Sequence, residues 1–340
     1  MGIDVHKKTY TVEARVNQER VKRWTTSADP ERLRDQLKKY FAGAEIHSVY
    51  EAGFSGFVLH RVLVSGGIDN IVVNPGSVET AAHDRVKTDK RDAHKLGEQL
   101  EGGRLKGIHI PSEAQEQGRF LSRTRAQLVK ECTAVKNKIR MKAHQLGLIA
   151  AEDTRSMSHG FVEALLSASP SAEFTLVVEA LWAVWRTLEA QVKRLESALA
   201  DQAKADAKET IYRSVPGIGA VSARVLSNEL GDMSQFTNER QLFSYTGLTP
   251  SEHSSGPHTH RGPITHQGNR YLRGILIEAA WRALSDDPAL ARFFERLLPR
   301  TGAKRAIVAV ARKLIGRIRA ALRKGELYQR DYEITVCAGG

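Results

Sequence analysis

Tyr10-Thr11-Val12-Glu13-Ala14-Arg15-Val16 alternates apolar and polar side chains, the pattern of a strand with one face against a core. Arg20-Val21-Lys22-Arg23-Trp24 follows closely enough to pair with it as a hairpin. Upstream, Gly2-Ile3-Asp4-Val5 reads as another short strand. Downstream, Asp29-Pro30-Glu31 opens a helix running to about Phe41, with Asp29 as its cap and Pro30 in its first turn. His47-Ser48-Val49-Tyr50-Glu51 is a short buried strand, and Gly56 to Val64 a helix. Asn70-Ile71-Val72-Val73-Asn74 is a further strand, closed by Pro75-Gly76. Strands and helices in this succession predict an α/β domain built on a mixed sheet.

From about Pro111 the pattern becomes helical. Leu121, Leu128, Cys132, Val135, Ile139 and Leu146 recur at helical spacing between charged faces. Leu181, Trp185, Leu188, Val192, Leu195 and Leu199 form a cleaner coiled-coil seam. The break between these two long helices is expected between Gly160 and Pro170. The seam suits an intramolecular hairpin and a dimerisation arm equally, because periodicity specifies a partner helix but not its chain. The remainder reads as helices and turns, so the predicted class is α/β plus all-α. The expected divisions are 1–108, 109–205 and 206–340.

The chain of 340 residues carries 51 Lys and Arg against 39 Asp and Glu, a net charge of +12 that favours a polyanionic partner such as nucleic acid. Between Pro288 and Gly325 there are eleven Lys or Arg and a single acid, Glu295. There Arg305, Arg312, Arg319 and Arg323 share a helical stripe, beside an apolar stripe of Ile307, Ala311, Leu314, Ile318 and Leu322. So one-sided a charge suits a phosphate backbone. Two cysteines, Cys132 and Cys337, make no disulfide framework, and no apolar run approaches a membrane span. A cytoplasmic protein, nucleoid-associated when acting, with no membrane partner is therefore expected. His253, His258, His260 and His266 match no common zinc spacing and are not assigned a metal.

Four acids have a reason to meet. Asp4 and Glu51 each lie at the end of a strand, and Asp89 and Asp92, three apart, enter a helix in Lys87-Thr88-Asp89-Lys90-Arg91-Asp92-Ala93. Adjacent strands with that helix across them would gather the four. Such a cluster repels itself unless a cation neutralises it, and Mg²⁺ suits a few carboxylates plus substrate phosphates. A pair of such ions would stabilise the attacking and leaving oxygens of a phosphoryl displacement.

Gly2-Ile3-Asp4-Val5-His6-Lys7-Lys8, Tyr50-Glu51-Ala52-Gly53 and the Lys87–Ala93 segment together resemble the DEDD insertion-sequence transposases. These are recombinases guided by a bridge RNA, with an RNase H-like, RuvC-like catalytic domain. The resemblance implies that Asp4, Glu51, Asp89 and Asp92 are the metal-binding tetrad. Only three residues precede Asp4, fewer than the family usually supplies, and so abrupt a strand is expected to lack ladder hydrogen bonds.

The second half carries the same resemblance. Ser214-Val215-Pro216-Gly217-Ile218-Gly219 resembles a helix-hairpin-helix turn, whose glycines, Gly217 and Gly219, let backbone N–H groups approach a phosphate. Tyr245-Thr246-Gly247-Leu248-Thr249-Pro250, Ser254-Ser255-Gly256, Ile264-Thr265-His266-Gln267-Gly268-Asn269 and Leu272-Arg273 follow in the order of the family's C-terminal transposase domain. In that family the serine before glycine is the recombination nucleophile, which maps to Ser255. Arg261, Arg270 and Arg273 become candidate phosphate contacts, together with the stripe from Arg305 to Arg323. A serine hydroxyl needs a base or metal to attack, and the carboxylate-held Mg²⁺ would supply that in a composite site.

The implied function is DNA strand exchange through a serine–phosphate link. The implied partners are donor DNA, target DNA, a structured non-coding guide RNA, and further copies of the chain as a homodimer or homotetramer. Two other readings stand beside it. One is a metal-dependent Holliday-junction-type nuclease with water as nucleophile, and the other a nucleic-acid-binding protein without catalysis.

Overall fold

The computed structural model describes residues 1–79, 88–255 and 258–331, with backbone alone for 253–255 and 258–261. These residues form two compact units, Met1–Ile110 and Pro111 onward.

The first unit holds strands β1 (Gly2–Val5), β2 (Thr9–Val16), β3 (Glu19–Ser27), β4 (His47–Glu51) and β5 (Asp69–Val73). Its helices are α1 (Pro30–Tyr40), α2 (Val58–Ser65) and α3 (Asp89–Glu101). The sheet runs in the order β3-β2-β1-β4-β5. β2 lies antiparallel to β1 and β3, whereas β1, β4 and β5 run parallel. This mixed five-stranded order is consistent with the expected RNase H-like layout.

Local chemistry explains the pieces. Asn17 and Gln18 both adopt positive φ, the two-residue turn whose twist suits the β2–β3 hairpin. Asp29 caps α1 by accepting from the amides of Glu31 and Arg32. Ile3, Tyr10, Val12, Tyr50 and Val72 point to one face of the sheet, where Leu33 and Leu37 of α1 and Leu59 and Leu63 of α2 cover them. Val49 and Val73 point to the other face and pack on Leu96 of α3.

The expectation of an under-paired first strand does not hold. β1 is the central strand, bonded to β2 on one side and β4 on the other. Even Met1 takes part, its carbonyl accepting from the Val49 amide at 2.9 Å.

In the second unit, α4 (Glu113–Gln145), α5 (His159–Ser167) and α6 (Ala172–Lys204) form one core. Val178 and Trp185 of α6 are buried with Cys132, Val135 and Ile139 of α4 in the same chain. The helices run antiparallel, as Arg125–Glu196 and Lys136–Glu189 ion pairs show. This part of the seam is therefore intramolecular. The expected break between the helices contains α5, whose Ser158 cap and buried Val162 and Leu165 build a short amphipathic helix there.

The rest of the unit comprises α7 (Ala207–Arg213), α8 (Ala220–Leu230), α9 (Glu239–Tyr245), β6 (Pro250–Ser255), β7 (His258–Ile264), α10 (Arg270–Asp286), α11 (Pro288–Thr301) and α12 (Ala303–Lys324). The antiparallel β6–β7 pair is a departure from the all-helical expectation. A second core joins α7, α8, α10 and α12 through Tyr212, Leu226, Leu276 and Leu314. Among the described residues no helix is long and apolar enough to cross a membrane.

Candidate active site

The position of the first acids is decided by glycine. A Cβ on Gly2 would lie 2.0 Å from the Ala93 carbonyl oxygen and 2.4 Å from the Gly97 amide nitrogen. Only a residue without a side chain lets β1 touch the backbone of α3. Asp4 lies two residues further along the same face of β1. The Ile3↔Tyr50 register puts Glu51 one step onward on β4, on that face too. Thr88 caps α3, accepting from the Arg91 amide, and leaves Asp89 and Asp92 in the first turn.

Strand and helix meet through His6, in the turn that leaves β1. Its Nε2 stands 3.1 Å from an Asp4 oxygen and 3.2 Å from an Asp89 oxygen. Ligand-type atoms of Asp4, His6 and Asp89 all lie within 4.8 Å of one another. The Asp4 side chain is 18% exposed and that of Asp89 55%, so the cluster is sheltered at the sheet and open towards solvent. Burial pushes the Asp4 carboxyl above its ordinary range, His6 opposes this, and the charges of Asp89 and Asp92 push it further up. Asp92 thus acts on Asp4 electrostatically without belonging to the three-residue contact. Glu51 is half-buried at the end of its strand and also lies outside that contact.

The donor set fits a hard divalent cation. Carboxylates from β1 and α3 face one spot, and their mutual repulsion is the strain that a cation would relieve. Asp4 and Asp89 would hold it, while Asp92 bears on Asp4 through its charge and Glu51 ends the neighbouring strand. His6 was missed in the sequence, although it stands two residues after Asp4. A histidine so close behind a strand-end acid is the signal that would have pointed to it.

Next to the cluster, the same sheet face carries a buried ion network. Glu13 on β2 is fully buried and accepts from Arg23 Nε at 2.8 Å and from Arg15 at 3.2 Å. His94 Nδ1, on α3, is 2.6 Å from the same carboxylate. Burial alone would raise the Glu13 carboxyl, but the bonds from His94, Arg23 and Arg15 outweigh it and hold it below its ordinary range. The network ties β2, β3 and the acid-bearing helix together.

In the second unit Ser255 ends β6, and its last registered partner is His258 on β7. The side chains of Ser255, Ser254 and Arg261, and all of Gly256, lie outside the described residues. Gly217 has φ +79°, and a Cβ there would sit 2.6 Å from the Ala279 carbonyl oxygen. That glycine serves close packing on α10. Gly219, exposed, begins α8 with open space around it.

The arginines divide by burial. Arg270, Arg305 and Arg323 are exposed. Arg273 donates to the carbonyls of Gly247 and Gln267 and acts as a brace. Arg312 lies over the Phe243 ring at 4.6 Å. Arg319 corrects the expectation of a continuous surface stripe, because it is 6% exposed and donates to the Phe236 carbonyl at 2.7 Å. α12 runs through packed surroundings, so even its polar stripe is partly interior. Arg317, on another face, pairs with buried Asp287 at 2.9 Å.

Residues 1–146 match a family model of DEDD-type transposases, and residues 209–295 match the transposase IS116/IS110/IS902 family. The chain is 31% identical over 238 residues to a probable family 20 transposase of Pseudomonas aeruginosa, covering 67% of this chain and 70% of that one. It is 30% identical over 250 residues to the putative transposase y4qE of Sinorhizobium fredii, covering 73% of this chain and 62% of that one. With the transposase for insertion sequence element IS1111A of Coxiella burnetii it shares 29% identity over 281 residues, covering 79% and 76%.

Proposed function

Because this chain belongs to the IS110/IS116/IS902 family of insertion-sequence transposases, we propose that it cuts and rejoins DNA through a covalent bond to Ser255, directed by an element-encoded guide RNA. The observation that carries the reading is the approach of Asp4 and Asp89, from a strand and a helix, to one point at the end of a central strand. In this reading Glu51 and Asp92 complete a tetrad of acids that would hold divalent metal. Cations there would neutralise charge on the phosphoryl group as its bonds exchange.

In the proposed reaction Ser255 Oγ attacks the scissile phosphorus and loses its proton. The bond from phosphorus to the leaving deoxyribose oxygen breaks, and that oxygen takes up a proton. The phosphodiester's energy is kept in a phosphoserine ester, so rejoining with a new strand needs no outside energy. Residues 1–108 would supply the carboxylates, 109–205 a helical spacer, and 206–340 the nucleophile. Gly219 at the open start of α8 and the exposed Arg270, Arg305 and Arg323 are the proposed phosphate contacts. Donor DNA, target DNA, the guide RNA and a dimer or tetramer of the chain complete the assembly. The net charge of +12 supports polyanionic partners.

A denaturing gel of the protein with labelled DNA and guide RNA tests the reading. Wild type should give a metal-dependent protein–DNA adduct. Ser255→Ala should lose both the adduct and strand exchange, whereas Ser254→Ala should retain part of each. Cleaved ends that are always free of protein would replace the serine by water and make the enzyme a nuclease.

A further inference from the structure

We infer that His6 is a nitrogen ligand to a metal ion held at Asp4 and Asp89, so that the site prefers Mn²⁺-type transition ions over Mg²⁺. The inference rests on the reading of those two acids as metal ligands.

The geometry argues for it in three ways. First, one ring nitrogen, Nε2, faces both carboxylates, at 3.1 Å and 3.2 Å. A single nitrogen carries at most one hydrogen and cannot donate a well-directed bond to two separate acceptors. In the tautomer with Nε2 unprotonated, three lone-pair atoms lie within 4.8 Å of one another, and a cation between them satisfies all three. Secondly, the spacings suit such an ion. Neighbouring corners of an octahedron with metal–ligand bonds of about 2.1 Å lie about 3.0 Å apart, close to the two distances observed. Thirdly, the imidazole is held in place. The His6 amide donates to the Thr9 carbonyl at 2.9 Å, closing the β1–β2 turn and presenting the ring beside Asp4. The side chain is half exposed, so a ring rotation admits an ion from solvent without unfolding the strand.

The donor set then decides which ion is favoured. Oxygen ligands suit Mg²⁺ and Mn²⁺ alike, but of these two ions the transition ion is the one that accepts an imidazole nitrogen more readily. Replacing one oxygen corner by nitrogen shifts preference towards Mn²⁺ and leaves room for Mg²⁺ at the remaining carboxylates. Among the described residues, His94 is engaged by Glu13, and His6 is the imidazole that faces Asp4 and Asp89.

The experiment uses the full chain, stripped of metal and titrated with Mn²⁺ alone, read by pulsed electron paramagnetic resonance. Wild type should bind Mn²⁺ with a nitrogen coupling typical of imidazole. His6→Ala should abolish that coupling and weaken Mn²⁺ binding about tenfold or more, while Mg²⁺ affinity, measured by competition, changes less than about threefold. His6→Gln, which restores a neutral side chain of similar reach with an oxygen donor, should recover Mn²⁺ binding in part but not the nitrogen signal. Asp4→Asn serves as the control for the acids. If Mn²⁺ is lost in Asp4→Asn but wild type shows no nitrogen coupling, the carboxylate site stands and His6 is not a ligand. If Asp4→Asn binds Mn²⁺ as wild type does, the carboxylate reading itself fails and this inference fails with it. Coupling that survives His6→Ala also overturns it.

Discussion

Replacing Glu13 by Ala should loosen the β2–β3 hairpin by about two orders of magnitude in its opening equilibrium. The Glu13 carboxylate is the common acceptor for Arg15, Arg23 and His94 and has no exposure. Removing one partner of a buried ion pair typically costs about 3–5 kcal/mol, because the remaining charge stays buried and unpaired. Two features place this case at the lower end. Arg15 keeps a second acid, Glu101, at 3.2 Å, and the Arg23 side chain, 26% exposed, can turn to water. A loss of about 3 kcal/mol corresponds to roughly a hundredfold change in an equilibrium. Hydrogen–deuterium exchange on the full chain reads it directly, since peptides spanning 9–27 should lose protection by that factor while those from α4 and α6 should not change. A change below threefold in the 9–27 peptides would refute the argument. The pH dependence follows from the lowered Glu13 carboxyl. Its stabilisation is complete above the ordinary glutamate range and is lost as pH falls through the lower folded value. Thermal unfolding of wild type and Glu13→Gln should therefore differ most at neutral pH and converge in acid.

Gly2→Ala should be disproportionately harmful for one methyl group, by about 3 kcal/mol, the upper end for overpacking, since the clash is with backbone atoms of α3 rather than a side chain that can turn away. Circular dichroism melting and loss of DNA cleavage check it, and a variant of wild-type stability would refute it. Asp4→Ala and Glu51→Ala should each abolish strand cleavage and leave nucleic-acid binding within about threefold, measured by filter binding against a cleavage gel. Cleavage that survives in both variants would remove them from the catalytic set.

The α/β core was legible because its apolar residues obey the strand period. Ile3, Tyr10, Val12 and Tyr50 all end on the face covered by α1 and α2. The acids at strand ends were legible for the same reason, since Asp4 and Glu51 interrupt apolar text at the edges of strands. Glu13 was misleading. Alternation alone puts it on a solvent face, but α3 covers that face and ion pairing makes its burial tolerable. The β6–β7 pair could not be read, because Pro250 to Ile264 is polar on both faces and carries no alternating apolar signal. Arg319 was misread because helical periodicity locates a stripe but not the neighbours that cover it. Phe236, from a distant loop, supplies the carbonyl that holds it. His6 escaped notice because its importance depends on Asp89, 83 residues away in the chain but 3.2 Å away in space.

The bare contact between Gly2 and α3 has a practical meaning for anyone who would alter this protein. Side chains on the α1 and α2 face can be exchanged at modest cost when total volume is kept, because neighbouring side chains repack around them. No such adjustment is open where a strand backbone rests directly on a helix backbone. The separation of Asp4 from Asp89 is set by peptide geometry there, which differs little from one residue type to another. A library that randomises the apolar core while sparing Gly2 and Gly97 should therefore keep the acids in register. One that randomises only these two glycines should displace them while leaving the core composition untouched.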